Sequence, residues 1–156
     1  MHQENLAVED ILRRAGLKAT PQRLAIYGHL KDTTSHPCVD HVYRQLRSAY
    51  PSLSLATVYK TMESLVETGL ATAFNVGEGS FRFDANTSPH SHLICRSCHQ
   101  VEDLNDGFLR DFITRVQETS GYRLHGQAIH FYGYCPACQK GGSGVHLPRG
   151  GELGPP

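Results

Sequence analysis

Two short cysteine pairs constrain the second half of this chain more than any other feature. Cys95 and Cys98 form one C-x-x-C motif, and Cys135 and Cys138 form another. Each motif lets two thiolates bind one ion, and two motifs complete a tetrahedral four-sulfur shell. We therefore predict a structural zinc ion. Because protein sulfurs fill all four positions, this metal is expected to stabilise the fold and not to catalyse a reaction.

Two other interpretations of the cysteine pairs stay open at this point. A redox enzyme working through C-x-x-C ordinarily needs one pair beside a β-α-β pattern, and it would hold no tightly bound metal. Disulfide bonds would fit a secreted chain, but Met1 is followed by polar HQEN instead of the apolar run of a signal peptide. We therefore expect a cytoplasmic protein.

Composition restricts the remaining function classes. The 156 residues include no long apolar stretch, so no membrane span is expected. Fifteen basic side chains balance fifteen acidic ones, so any DNA binding must come from the local placement of charge. The sequence contains no phosphate-binding loop, nucleophile elbow or HExxH motif, and we do not expect an enzyme.

The first half has the periodicity of four helices followed by a hairpin. The helices are predicted at about 5–15, 20–30, 39–49 and 55–69. Thr20 before Pro21, and Ser54 before the fourth helix, are typical helix-capping residues. Two short extended segments, Leu70 to Val76 and Ser80 to Asp84, flank a glycine-rich tip. This order of elements is the layout of a winged helix-turn-helix.

The second half has the pattern of a smaller mixed domain. Strands are predicted around 92–95, 100–104 and 122–134, with a helix at about 107–119. The predicted fold class is α+β, with a winged-helix DNA-binding domain at 1–84 and a hinge at 85–89. A small α/β domain that contains both cysteine pairs follows at 90–140. The glycine- and proline-rich residues 141–156 are predicted to be a disordered tail.

Five further residues suggest a second metal site: His36, Asp84, His90, His92 and Asp103. His90 and His92 lie in an extended segment, where side chains two residues apart point to the same side. Any one of the five, taken alone, is more simply a polar surface residue. Their grouping around the expected domain junction favours a metal site.

At these residues the chain resembles the Fur (ferric uptake regulator) family, and within it most the peroxide-stress repressor branch. The resemblance extends from about Asn5 to Lys140. The matching runs are TPQR at 20–23, HP at 36–37, SLATVYKTMESLVETGL at 54–70, FRFD at 81–84, HSHLICRSC at 90–98 and YGYCPAC at 132–138.

This resemblance implies a homodimeric repressor that binds double-stranded operator DNA and holds two kinds of metal. The domain at 1–84 would bind DNA, and the domain at 90–140 would serve dimerisation and metal binding. The four cysteines would hold structural zinc. The regulatory ligands of the peroxide-sensing branch fall on His36, Asp84, His90, His92 and Asp103. Three imidazoles and two carboxylates suit Fe²⁺ or Mn²⁺. The resemblance further implies that iron-catalysed oxidation of His36 or His90 by peroxide, the one small-molecule signal expected, releases the operator.

Assignment to the branch depends on few positions. Iron-uptake regulators usually carry glutamate where this chain has Asp103. Many of them carry a further metal site, whose ligands are replaced here by Pro89, Ser91, Arg110 and Gln127. Both differences favour the peroxide branch. The alternative is an iron or zinc uptake regulator of the same family, responding to metal availability.

The fourth helix is the predicted recognition helix. Thr57, Tyr59, Lys60 and Thr61 interrupt its apolar stripe and are expected to reach base edges or phosphates. Lys18 and Arg23 flank the start of the second helix and are expected to contact phosphate or the minor groove. Ordinary solvated side chains are the alternative for each. A zinc-ribbon interaction module without DNA affinity is a further alternative, and the helix-four pattern argues against it.

Overall fold

The computed structural model describes residues 2–77, 79–104, 108–124 and 128–140. The chain divides into two compact units, Met1–Asn75 with Gly79–Ser88, and Val76–Glu78 with Pro89–Pro156. Both units combine helices with sheet, which confirms the α+β fold class. Among the described residues no helix is long and apolar enough to cross a bilayer. The predicted tail at 141–156 lies outside the described residues.

The first unit consists of four helices and a two-stranded hairpin. In chain order these are α1 (His2–Arg14), α2 (Pro21–Lys31), α3 (Val39–Leu46), α4 (Leu55–Glu67), β1 (Thr72–Asn75) and β2 (Phe81–Asp84). Both predicted caps are formed, because the Thr20 side chain accepts from the backbone N–H of Arg23 and the Ser54 side chain from that of Thr57. The unit thus has the winged helix-turn-helix layout.

Two helices of this unit end earlier than the sequence pattern predicted. After α3 the backbone N–H groups of Ala49 and Tyr50 both turn back to the carbonyl of Leu46, before Pro51. Proline disfavours helical geometry in the residue before it, so the helix stops short. After α4, Gly69 adopts a positive φ of 72° and Leu70 donates to the carbonyl of Leu65. This pattern is a Schellman motif, which ends the helix.

One apolar core holds the first unit together. Its fully buried side chains come from α1, α2, α3 and α4, and Phe83 of β2 closes it. Leu12, Ile26, Val42 and Met62 are each 0% exposed. Because burial removes these side chains from water, the core fixes the position of helix α4 against the rest of the unit.

We expect Met62→Ala to lower the free energy of unfolding of the first unit by about 2–5 kcal/mol, the range for truncating a buried side chain. Met62 lies in the middle of α4 and is fully buried. Urea denaturation followed by circular dichroism measures the change. Glu63→Ala, at the exposed next position, is the matched control and should change stability by less than about 0.5 kcal/mol. Equal losses in both variants would contradict the assignment of the core.

The second unit is built around a three-stranded sheet in the order β4-β3-β5. Its elements are β3 (Ser91–Cys95), β4 (Val101–Leu104), α5 (Phe108–Ser120), β5 (Ile129–Gly133) and α6 (Pro136–Lys140). β3 pairs antiparallel with β4 and parallel with β5. A parallel pair needs a crossover connection, and α5 provides it.

The structure differs from the sequence prediction at two places in this unit. The last strand was predicted from Tyr122, but β5 begins at Ile129, and residues 121–124 have no regular structure. Gly121 follows α5 with a φ of 71°, a left-handed conformation that ends the helix. Residues 125–127 lie outside the described part of the chain. The short helix α6 after Cys135 was not predicted, because five residues are too few for a periodic signal.

Candidate metal centres and nucleic-acid surface

Four cysteine sulfurs lie close together at one edge of the second unit. The Sγ atoms of Cys95, Cys98, Cys135 and Cys138 all lie within 4.8 Å of one another. The distance between the Sγ atoms of Cys98 and Cys135 is 3.8 Å. A tetrahedral zinc ion with Zn–S bonds of about 2.3 Å separates its sulfurs by roughly 3.8 Å. The cluster therefore has the dimensions of a four-cysteine zinc site.

Sheet topology brings the two cysteine pairs together. Parallel strands end at the same edge of a sheet. One cysteine pair begins at the last residue of β3, and the other follows the parallel strand β5. The backbone N–H of Arg96 donates to the carbonyl of Gly133 at 2.8 Å, and the N–H of Cys135 donates to Cys95 Sγ at 3.3 Å. These bonds fix the spacing of the two turns.

The cysteine thiols differ in their readiness to lose a proton. Burial raises the pKa of Cys95, but backbone N–H groups of Cys98, Cys135 and Ser97 outweigh it and lower this pKa to about 6. The backbone N–H of Gln100 lowers the pKa of Cys98, but burial and the hydrogen bonds to the other sulfurs raise it to about 12. One thiolate therefore opposes the ionisation of its neighbours. A divalent cation removes that opposition, because it neutralises the charge of the crowded sulfurs.

A histidine and an aspartate of the first unit form a buried pair. The distance from His36 Nε2 to Asp84 Oδ2 is 3.6 Å, and the two residues are 2% and 6% exposed. The backbone N–H of Phe83 donates to the carbonyl of Pro37 at 3.2 Å, which ties the loop of His36 to strand β2. The ring of Phe74 packs against the His36 ring at 5.9 Å between centroids. The pair is thus held by the hairpin that carries Asp84.

Two histidines and an aspartate of the second unit form a second polar group. The Nε2 atoms of His90 and His92 lie 2.9 Å apart. Asp103 Oδ1 lies 3.4 Å from Nε2 of His90 and 3.6 Å from Nε2 of His92. His92 and Asp103 are opposite each other in the pairing of β3 with β4, and His90 lies two residues before His92. Three donor atoms that converge in this way can bind one cation.

His130 extends this group across the sheet. It is opposite His92 in the pairing of β3 with β5, and the two ring centroids are 5.5 Å apart. Burial lowers the pKa of His130, and the charge of His92 lowers it further, so the neutral imidazole is favoured. His130 was not among the metal ligands predicted from the sequence. Only the register of β5 against β3 reveals that it shares a row with His92 and Asp103.

The donor chemistry of both polar groups fits a divalent cation. Neutral imidazole nitrogens and carboxylate oxygens are borderline-to-hard ligands, which suit Fe²⁺, Mn²⁺ or Zn²⁺. The thiolates of the cysteine cluster are softer and suit zinc. The two kinds of site therefore differ in the metals that they favour.

The residues predicted to contact DNA differ in their exposure. Lys18 and Lys60 are exposed, and the Tyr59 side chain is 47% exposed. Arg23 is partly buried and donates from Nη1 to the carbonyl of Lys18 at 2.8 Å, so it also braces the loop before α2. Thr57 is partly buried, and its hydroxyl lies 2.8 Å from Ser54 Oγ at the start of α4.

The prediction that Thr61 contacts DNA is wrong. Thr61 is only 4% exposed. It lies three residues after Val58 and four before Leu65, so it belongs to the buried face of α4. Tyr59 and Lys60 remain on the accessible side of that helix.

Cys38, the fifth cysteine, occupies the N-cap position of α3, and its side chain makes no capping hydrogen bond.

The chain is similar to known proteins along most of its length. Residues 14–132 match the model of the "Ferric uptake regulator family". The peroxide operon regulator of Bacillus subtilis is 33% identical over 131 residues, which cover 84% of this chain and 90% of that protein. Two solved structures of relatives are also similar. The peroxide stress regulator of Campylobacter jejuni is 29% identical with a TM-score of 0.69, and the match covers 85% of this chain and 97% of that chain. The ferric uptake regulator of Pseudomonas aeruginosa with manganese is 27% identical with a TM-score of 0.72, and the match covers 82% of this chain and 97% of that chain.

Proposed function

Since this chain belongs to the ferric uptake regulator family of metal-responsive transcriptional repressors, we propose that it is a peroxide sensor that binds operator DNA as a metal-loaded homodimer in the cytoplasm. The observation that carries this proposal is the convergence of His90, His92 and Asp103 on one point. Members of this family act as transcription factors and not as enzymes.

The proposed regulatory ion has ligands in both units. His36 and Asp84 come from the first unit, and His90, His92 and Asp103 come from the second. An ion that needs ligands from both units binds best when they are brought together, so its binding energy selects one arrangement of the units. We propose Fe²⁺ or Mn²⁺ for this role and Zn²⁺ for the four cysteines, following the softness of the two donor sets.

DNA binding is assigned to the first unit and dimerisation to the second. Helix α4 presents Tyr59 and Lys60, and a dimer would place two such helices at the spacing of a palindromic operator. On the sheet face opposite His92, Leu93 and Phe131 are cross-strand neighbours and are 40% and 49% exposed. An exposed apolar pair of this kind supports packing against a second copy of the chain.

The proposed signal is one-oxygen oxidation of a ligand histidine. The five proposed ligands would hold ferrous iron, which would supply the one-electron redox chemistry that splits the O–O bond of hydrogen peroxide. In total one peroxide oxidises one imidazole by two electrons, leaves one oxygen on a ring carbon and releases one water. His36 and His90 are the proposed targets. The resulting 2-oxo-histidine is a poorer ligand, so the ion is lost and the operator is released.

The direct test combines operator binding with mass spectrometry. The zinc-containing protein is loaded with Fe²⁺ or with Mn²⁺, exposed to equal dilute peroxide and assayed for operator binding by fluorescence anisotropy. We expect both metals to support binding before exposure and only the iron form to lose it afterwards. Tryptic peptides containing His36 or His90 should gain one oxygen in the iron form only, because Mn²⁺ is a poorer electron donor to peroxide.

Two outcomes would contradict this proposal. Operator binding that does not depend on Fe²⁺ or Mn²⁺ would show that the protein has no regulatory metal. Continued binding by the iron form, with unmodified His36 and His90, would favour a regulator of metal uptake. The peptides of Cys95 and Cys135 serve as an internal reference, since zinc is redox-inert and should slow the oxidation of its ligands.

A further inference from the structure

The sheet of the second unit contains one histidine, His130, that lies in register with two of the proposed regulatory ligands but is not itself one of them. His92 lies between Asp103 on β4 and His130 on β5 in the register of the sheet. Side chains of directly paired residues point to the same face. Asp103, His92 and His130 therefore lie side by side on one face of the sheet. His90 precedes β3, and its Nε2 atom lies close to Nε2 of His92 and to Oδ1 of Asp103.

We infer that His130 is a further metal-binding residue, which with His90, His92 and Asp103 lets the second unit hold a divalent cation without His36 or Asp84. This inference rests on the proposed regulatory site for three of its four residues. It adds a ligand and a second binding mode, in which the first unit takes no part.

The spacing of the His92 and His130 rings is compatible with a shared cation. Two imidazoles bound tetrahedrally to one ion at about 2.0–2.1 Å have ring centroids roughly 5 Å apart. The centroids of His92 and His130 are 5.5 Å apart. His130 is partly exposed, and binding the shared cation requires its ring to turn toward the point where the Nε2 atoms of His90 and His92 meet.

The chemistry of the set favours a four-coordinate ion. Three imidazoles and one carboxylate supply the four ligands with which Zn²⁺ or Co²⁺ is satisfied. An ion with these four ligands has a complete coordination shell, so binding His36 and Asp84 as well would add no binding energy. Because it has no preference between arrangements of the units, it would occupy the second unit without favouring the DNA-binding arrangement.

Cobalt binding to protein whose cysteine site already holds zinc tests this inference. Titration of the double variant His36→Ala/Asp84→Ala with Co²⁺ should show one further ion per chain, with the visible d–d absorption of four-coordinate cobalt. Adding His130→Ala to this background should weaken Co²⁺ binding at least about tenfold, as expected when a metal site loses a supporting group. His41→Ala, a partly buried histidine of the first unit, is the matched control and should leave the affinity unchanged.

Either of two results would overturn the inference: no further cobalt bound by the double variant, or equal cobalt affinity with and without His130. Gel filtration and zinc content confirm that each variant is folded. The titration contains no DNA and no peroxide, so its failure is distinct from failure of the proposed function, which the operator assay of the unmodified chain measures.

Discussion

Cys135→Ser is expected to release the proposed structural zinc and to abolish the dimer in the same step. Cys135 joins the end of β5 to Cys95 at the end of β3, so the ion closes a loop of about forty residues in the second unit. Structural zinc sites contribute apparent binding free energies of about 10–16 kcal/mol in small domains. Whole domains are stable by only about 5–15 kcal/mol. Loss of the ion should therefore unfold the second unit.

The measurements for this variant are zinc content by mass spectrometry and molar mass by light scattering. Cys38→Ser is the matched control, because Cys38 lies at the start of α3 in the first unit and outside the cysteine cluster. It should retain zinc, dimer and operator binding. A Cys135→Ser protein that lacks zinc but stays dimeric and binds operator would refute the structural role.

His36→Ala is expected to abolish the metal dependence of operator binding while leaving zinc and the dimer intact. The imidazole of His36 is buried against Asp84 and Phe74 in the first unit. Its loss removes the proposed link through which the regulatory ion favours one arrangement of the units. Asp84→Ala and Asp103→Ala should give the same result for the same reason.

Operator titrations with and without Mn²⁺ measure this effect. The unmodified protein should bind much more tightly with Mn²⁺, and the His36→Ala variant should bind equally weakly in both conditions. His41→Ala is the control, since His41 packs beside His29 and has no place in the proposed site. If His36→Ala responds to Mn²⁺ as the unmodified protein does, His36 is not a regulatory ligand.

The local features of the fold were predictable because their signals lie within a few residues of one another. Thr20 and Ser54 form the predicted caps, and Gly69 adopts the positive φ that ends α4. The apolar period of α4 also contained the information that Thr61 faces the core with Val58 and Leu65. The prediction for Thr61 was wrong because it assumed that a polar side chain on this helix is exposed to solvent.

The four-cysteine cluster could be predicted from sequence for a chemical reason. A C-x-x-C turn has a fixed geometry, and two such turns in a chain have one common use that fills four positions around an ion. The sequence could not show how the pairs meet. That depends on β3 and β5 being parallel neighbours, which places Cys95 and Cys135 at the same edge.

The sequence by itself determined helices α1 to α5, the caps of α2 and α4, the two cysteine turns and the identity of the histidines and aspartates near them. Tertiary structure alone decided which of these side chains share a face of the sheet. The strand containing His130 begins at Ile129, and its pairing with β3 places His130 beside His92. Register is set by pairing between strands that are distant in the chain, and a shift by one residue would turn His130 to the opposite face. No local pattern carries that information.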